Sequence, residues 1–220
     1  MSSEHLSRSA ITVSLPQLTL HGELAQPYAP AHGLLVFVTP CAENRPPETA
    51  DTDEEREQAM HREGFATLRI DLLRAEECRF ADARDHLPLL AERLLAVIGH
   101  LHQQILLETI PALPIGLVAA GAMTPLAVRV AAQRDREVRA LVCHGGLIDL
   151  AGLQYLKALQ APLLMLAEAG DTPALANAQR AQAHIAGICR IETLDDADPG
   201  ARRQRETALT LAWFRCHLGG

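Results

Sequence analysis

Serine is absent from the sequence after residue 14, since every serine lies between Ser2 and Ser14. This absence excludes a serine nucleophile from the rest of the chain. Aromatic residues are scarce as well, at 3% of 220 residues. The core is therefore expected to consist of Leu, Ala, Val and Ile side chains, and the hydrophobic share of 48% is sufficient for a sizeable core.

A surplus of positive charge and a long apolar segment are also missing. The net charge of −7 argues against a nucleic-acid partner or an anionic membrane surface. No run of about 18 apolar residues predicts a membrane span, and the opening residues MSSEHLSRSAITV contain no apolar core of a signal peptide. The chain has no CxxC pair, which favours free thiols in a reducing cytoplasm; its five cysteines are Cys41, Cys78, Cys143, Cys189 and Cys216.

Strand-like and helix-like segments alternate along the chain. The alternating segments AITVSL and QLTLHGEL predict two antiparallel strands. Continuous apolar runs such as GLLVFVTP (33–40) predict strands buried on both faces, and leucines at helical spacing predict a long helix over 85–108. We expect one α/β domain over residues 1–220, with about eight strands in a mostly parallel sheet and helices on both faces.

The order of these segments resembles that of the α/β-hydrolase superfamily, in particular its small, lidless dienelactone-hydrolase-like members. The resemblance covers nearly the whole chain, and it is carried by LTLHGELAQP, GLLVFVTP, GFATLRIDLL, LPIGLVAAGAM, VRALVCHGGLIDLAG, APLLMLAEAGDTP and TLAWFRCHL. It implies a catalytic centre at the carboxyl ends of the strands, built from a nucleophile on a tight elbow, an acid, a histidine and an oxyanion loop.

The nucleophile and the histidine of that family have no counterpart in this sequence. The elbow corresponds to residues 119–123, with Gly121 at its apex. Glycine accepts the positive φ required there but offers no attacking oxygen. The nearest hydroxyl belongs to Thr124, which we expect to cap the following helix. The loop that would carry the histidine, near Pro199, reads DDADPGARR and contains none.

The acid and the oxyanion loop are matched in position, but their residues suggest other roles. Asp171, in EAGDTP, occupies the acid position and is expected to cap the next helix. The oxyanion loop reads Thr39-Pro40-Cys41, in which Pro40 removes one backbone N–H donor. Departures at three separate loops lead us to expect a hydrolase fold without hydrolase chemistry.

One replacement for the lost triad is chemically sensible. Cys41 and His144 could act as thiolate and base, with Asp171 or Glu168 orienting the histidine. Cysteine is more often a buried, apolar residue, which favours the inert interpretation.

No metal and no other cofactor is expected. Glu57 and His61 are four residues apart on a predicted helix, but no third ligand accompanies them, and we expect them on a solvated face. No G-x-G-x-x-G or Walker pattern is present, so no nucleotide site is expected. The acidic run 48–57 is interpreted as a solvated helix start, with a contact surface for a basic partner as the alternative.

The sequence therefore predicts a non-catalytic hydrolase homologue that binds a small carboxylate or a protein partner at the former active-site crevice. The first alternative is a working esterase-like or thiol-dependent hydrolase using Cys41 and His144. The second is a structural subunit whose crevice is filled, with Met123 as the filling side chain. A homo-oligomer is compatible with any of the three. The residues expected to line the crevice are Thr39, Pro40, Cys41, Gly121, Ala122, Met123 and His144.

Overall fold

The computed structural model describes residues 6–41 and 47–219, with side chains omitted for 47–53. Strands and helices alternate through these residues as predicted. The strands are β1 (Leu6–Leu15), β2 (Leu18–Pro27), β3 (Leu34–Thr39), β4 (Ala66–Asp71), β5 (Ile115–Ala120), β6 (Val138–His144), β7 (Leu163–Glu168) and β8 (Cys189–Leu194). The helices are α1 (Pro47–Arg62), α2 (Ala81–Asp85), α3 (Leu87–Leu106), α4 (Thr124–Gln133), α5 (Leu153–Ala158), α6 (Thr172–Gln182) and α7 (Pro199–Leu218).

The predicted α/β fold class is confirmed, because the eight strands form one mostly parallel sheet in the order β1-β2-β4-β3-β5-β6-β7-β8. β1 and β2 are antiparallel, as are β2 and β4, whereas β3 and β4 are parallel, as are β6, β7 and β8. The chain divides into two compact units after Ile115. The single domain expected over residues 1–220 stays a prediction.

In the first unit, the pattern of burial explains why these segments form strands. Residues 34–38 of β3 are all buried, as expected of a strand covered on both faces. β1 alternates between exposed residues and the buried Ile11 and Val13, which is the pattern of a strand with one wet face. α1 ends at Arg62, and Gly64 follows with a φ of +79°, a conformation that glycine adopts without strain.

The face of α1 that packs on β4 carries a polar cluster, which corrects one sequence expectation. Glu57 and His61 are both buried, and not on a solvated face. Glu57 forms an ion pair with Arg69 of β4, and the Nε2 atom of His61 lies 2.8 Å from the hydroxyl of Thr67. These contacts explain why the two polar residues are retained on a buried helix face.

The second unit places its chemistry-bearing residues at the carboxyl ends of β5 to β8. The helices α4 to α7 connect or follow these strands, and their turns hold the residues of interest. Within the described residues, no helix is long and apolar enough to cross a membrane.

Candidate functional site

The carboxyl end of β5 forms the expected elbow. Ala120 is still extended, with φ of −136° and ψ of 146°, and Gly121 then turns to a φ of +53°. A short 3₁₀ turn, Gly121–Met123, leads directly into α4. Ala120, Gly121 and Ala122 are exposed, whereas Met123 is buried. A Cβ added at position 121 would meet no atom within 4 Å, so the apex has open space but no side chain.

A second glycine turn, which the sequence analysis did not single out, supports the elbow from β6. Gly145 and Gly146 follow β6 with φ values of +65° and +85°. A Cβ on Gly146 would overlap the carbonyl oxygen of Gly121 and would lie 3.0 Å from the hydroxyl of Thr124. The two turns therefore touch through backbone atoms, and only glycine at 146 permits this approach. In the sequence, the Gly-Gly pair that follows the apolar run of β6 is the signal from which this turn could have been predicted.

Thr124 does not cap α4, which corrects the sequence interpretation. It is the first residue of the helix, and no side chain caps that end. Its hydroxyl donates a 2.8 Å hydrogen bond to the carbonyl oxygen of Gly145, and the residue is completely buried. Thr124 therefore joins the two glycine turns and is not accessible as a nucleophile.

Asp171, at the acid position after β7, caps α6 as expected. One oxygen of its carboxylate, Oδ1, accepts a 3.0 Å hydrogen bond from the backbone N–H of Ala174. The other oxygen, Oδ2, would lie 3.8 Å from a Cβ on Gly145, so the carboxylate does remain near the glycine turns. Glu168, the other candidate acid, forms a 3.0 Å ion pair with Arg202 of α7.

The loop near Pro199, where the resemblance led us to look for a histidine, leads into a helix start. Asp198 caps α7, its Oδ2 atom accepting a 2.8 Å hydrogen bond from the N–H of Ala201, and Pro199 is the first helical residue. Asp195 forms a 2.9 Å ion pair with Arg205 of the same helix. The loop is therefore built from capping and ion-pairing groups, none of which can act as a base in the manner of an imidazole.

His144 ends β6 and lies against α7. Its Nδ1 atom is 3.7 Å from a carboxylate oxygen of Glu206, a partner that the sequence analysis did not identify. The adjacent residue, Cys143, interacts with Thr124 of α4 instead. Because successive side chains of a strand point to opposite faces, His144 points away from the face of β6 on which Cys143 meets Thr124.

Two thiols of the second unit, those of Cys143 and Cys189, are poor nucleophiles. Burial raises the pKa of Cys143 to about 12, against a smaller opposing effect of the Thr124 hydroxyl. Burial also raises the pKa of Cys189 to about 11. At neutral pH both groups are protonated, and the thiolate is the form that attacks.

In the first unit, the residues at the oxyanion position are fixed by a disulfide. Cys41 is bonded to Cys78, with the two Cα atoms 6.1 Å apart. The backbone N–H of Leu73 also donates a 3.0 Å hydrogen bond to the carbonyl oxygen of Pro40. The expectation of free thiols is therefore wrong for Cys41 and Cys78. The alternative that paired Cys41 with His144 loses its nucleophile, since a disulfide sulfur is not a thiolate.

A buried arginine holds the segment that carries Cys78. Arg93 of α3 donates hydrogen bonds of 2.7 and 2.8 Å to both carboxylate oxygens of Glu77 and one of 2.8 Å to the carbonyl oxygen of Leu72. The Arg93 guanidinium is the main cause that lowers the pKa of Glu77 to about 2. The Cys41–Cys78 bond is therefore anchored to α3 through a charge-assisted pair.

The described residues of the two units form no cluster of metal ligands. Within residues 6–41 and 47–219, no three side chains of the His, Cys, Asp or Glu type are grouped so that they could hold an ion.

Solved structures identify the superfamily. A dienelactone hydrolase from Anabaena variabilis superposes with a TM-score of 0.80 and 28% sequence identity, over 97% of this chain and 99% of that chain. The chain belongs to the α/β-hydrolase superfamily. The match to a dienelactone hydrolase confirms the resemblance to dienelactone-hydrolase-like proteins that the sequence indicated. Est1E from Butyrivibrio proteoclasticus shares the fold at 11% identity, with a TM-score of 0.68 over 93% of this chain and 98% of that chain.

Two curated sequence relatives of this chain are named as transferases and not as hydrolases. Proteins from two strains of Mycobacterium tuberculosis, provisionally named phosphoribosyl transferases, are 38% identical over 162 residues. The match covers 71% of this chain and 35% of each relative, so the chain spans about a third of the length of the curated relatives it matches. No family profile matches the chain.

Proposed function

We propose that this chain is a non-catalytic α/β-hydrolase homologue that binds a small carboxylate at its retained elbow. The observation that carries the proposal is the conformation of Gly121, which keeps the φ of +53° typical of the elbow without a side chain. Glycine makes the turn easier to form and removes the attacking atom. The elbow is thus maintained for its shape.

The residues around the elbow support the loss of hydrolysis. Thr124 is buried and hydrogen-bonded to Gly145, and Asp171 caps α6. His144 lies 3.7 Å from Glu206 of α7, which is not the acid that follows β7. Removing members of a triad lowers the rate by several orders of magnitude, and here the nucleophile and its base are both replaced.

A carboxylate suits the surface that remains. Gly121 and Ala122 are exposed directly ahead of α4, where backbone N–H groups and the helix dipole favour an anion. Ala120 and Ala122 add a small apolar surface. A short acyl or aromatic carboxylate would therefore be held by the dipole and by burial of its apolar part.

The hydrolysis test uses p-nitrophenyl acetate with wild type and with Gly121→Ser. Neither protein is expected to exceed a heat-denatured control, because the variant gains a hydroxyl but no base. A fluorophosphonate probe should leave both unmodified. Turnover by wild type, or an efficient esterase created by the single substitution, would overturn the proposal.

The binding test uses melting temperature with butyrate and benzoate. A ligand at a hundredfold excess over its dissociation constant stabilises the fold by about 2.7 kcal/mol, which corresponds to a shift of several degrees. Ala122→Trp should abolish the shift, whereas Ala208→Trp, at an exposed position of α7, should retain it. No shift in wild type, or an equal shift in both variants, would contradict carboxylate binding at the elbow.

A protein partner is the second candidate, and the M. tuberculosis relatives favour it. The matched region covers 35% of those proteins, and in this chain it folds as an α/β-hydrolase without a nucleotide-binding pattern. We infer that the transferase named for the relatives belongs to their unmatched part, and that this chain acts beside such a domain. The unmatched part, expressed alone, should form a complex with this chain in light scattering. Two separate monomers at micromolar concentration would count against this candidate.

A further inference from the structure

One side of the sheet ends in β1, a strand of 10 residues. β1 pairs with β2 along its whole length, residue by residue and without a bulge, and within the described part of the chain no further strand lies beyond it. The outward N–H and C=O groups of β1 are therefore directed away from the sheet. A strand edge of this kind is a template for pairing with another extended chain.

β1 lacks the features that usually protect an edge strand. Natural edges are shielded by charged residues, prolines, bulges or a short length. β1 contains no proline, and its one charged residue, Arg8, forms an ion pair with Glu23 of β2. The strand at the other edge, β8, has only 6 residues, and Arg190 and Glu192 among them are charged. β1 is therefore the less protected edge of the sheet.

The hairpin between β1 and β2 determines which backbone groups point outward. Leu15 pairs with Leu18 across a two-residue turn, so these two residues are hydrogen-bonded to each other. Hydrogen-bonded and non-hydrogen-bonded pairs alternate along an antiparallel ladder. Counting back from Leu15, Ala10 falls in a non-hydrogen-bonded pair with Glu23. The N–H and C=O groups of Ala10, and of every second residue on either side of it, therefore point away from β2.

A second copy of β1 fits this edge when the two strands run antiparallel about a two-fold axis at Ala10. Ala10 then faces the same residue of the second copy, and Arg8 faces the neutral Thr12. The paired stretch extends over residues 6–14, and its outward groups fall opposite one another, so each such pair can exchange two hydrogen bonds. Ala10 is small and exposed, and no like charges are opposed in this register. The edge of β1 is thus complementary to itself.

We propose that two copies of this chain associate through β1, with the strands antiparallel and Ala10 on the two-fold axis. The same surface is used by both copies, so the contact closes on itself as a dimer. The elbow follows β5, which β2, β4 and β3 separate from β1 in the order of the sheet. The proposal therefore does not depend on the function proposed for the elbow.

The first test measures molecular mass by light scattering across micromolar protein concentrations. Wild type should approach twice the 23.8 kDa of one chain. Ala10→Pro should stay monomeric with an unchanged circular dichroism spectrum, because proline removes the outward N–H at the axis and leaves the hydrogen bonds between β1 and β2 in place. A monomeric wild type would leave this edge to some other extended chain and would overturn the proposal, as would a folded Ala10→Pro protein that remains a dimer.

The second test places charges on the axis without disturbing the backbone. Ala10→Lys and Ala10→Glu should each weaken the dimer about tenfold, because like charges then face each other across the axis. When the two variants are mixed, opposite charges meet, and native mass spectrometry should show more mixed dimer than random pairing gives.

The matched controls are Ala208→Lys and Ala208→Glu, at an exposed position of α7, a helix that packs against β6, β7 and β8. Both should dimerise like wild type and should pair at random when mixed. Random pairing of the two Ala10 variants, or the same preference for mixed dimers in the Ala208 variants, would contradict a contact centred on Ala10.

Discussion

The hydroxyl of Thr124, at the start of α4, donates a 2.8 Å hydrogen bond to the carbonyl oxygen of Gly145, just after β6. This bond connects the two glycine turns at the carboxyl ends of neighbouring strands. It also brings the backbone of Gly146 against that of Gly121. The shape of the elbow is thus supported by a buried polar group that contacts backbone and not substrate.

The first prediction concerns that hydrogen bond. Thr124→Val keeps the side-chain shape but leaves the Gly145 carbonyl without its buried donor, and should reduce the free energy of unfolding by about 1 to 3 kcal/mol. Thr210→Val is the matched control, since Thr210 is equally buried and its hydroxyl donates to the Glu206 carbonyl, which the helix already satisfies. Urea denaturation should show a clearly smaller loss for the control; equal losses would contradict the role of Thr124.

The second prediction compares alanine substitutions in the two turns. Gly121→Ala should cost about 1 kcal/mol, because a positive φ disfavours a side chain but its Cβ meets no atom. Gly146→Ala carries the same penalty and also overlaps Gly121, which should add about 1 to 3 kcal/mol. Thermal unfolding measures both, and an equal loss of stability would show that the turns do not touch.

The third prediction concerns acid stability. The pKa of Glu77 is lowered from its ordinary value of 4.5 to about 2 by Arg93, so the folded state binds the proton less readily than the unfolded chain. The stabilisation is fully present above pH 4.5 and is lost as the pH falls towards 2. Glu77→Gln should therefore destabilise the protein at pH 7 by about 2 kcal/mol or more, because Arg93 keeps its charge in a buried position.

The control for Glu77→Gln is Glu76→Gln, at a neighbouring and exposed carboxylate. Unfolding curves recorded between pH 7 and pH 2 should show a flatter acid dependence for Glu77→Gln than for wild type, and an unchanged one for the control. A Glu77→Gln protein with the acid dependence of wild type would show that Glu77 titrates as an ordinary carboxylate.

The fourth prediction concerns the disulfide. Under denaturing, non-reducing conditions three thiols should react with Ellman's reagent, namely Cys143, Cys189 and Cys216, and five should react after reduction. Cys78→Ser should lower the free energy of unfolding by about 3 to 4 kcal/mol, as expected for a closed loop of this length. Cys216→Ser, at an exposed free cysteine, should have little effect. Five reactive thiols in air-oxidised protein would contradict the bond.

The sequence predicted the parts of the fold that depend on local pattern. The buried run of β3 and the positive φ at Gly121 were both foreseen, because continuous burial and a backbone without Cβ leave signals within a few residues. Thr52, with Glu55 three residues later, resembles a capping box and predicts a helix start near residue 52, whereas α1 begins at Pro47.

Contacts between distant residues were beyond the sequence. Cys41 and Cys78 are 37 residues apart, and no spacing rule pairs them. His144 meets Glu206 of the last helix, whereas the family resemblance directed attention to Asp171 and Glu168. These partners are decided by which helix covers which end of a strand, a property of the packed sheet and not of any segment.

The Cys41–Cys78 bond closes a covalent ring that contains the whole of α1 and β4. A protease that cuts once inside this ring would open the chain without releasing a fragment. The nicked molecule would gain only the mass of one water, and its two pieces would stay joined until a reductant separates them. Gel electrophoresis under non-reducing conditions would then conceal a cut inside the ring, and only reduced samples would show two fragments.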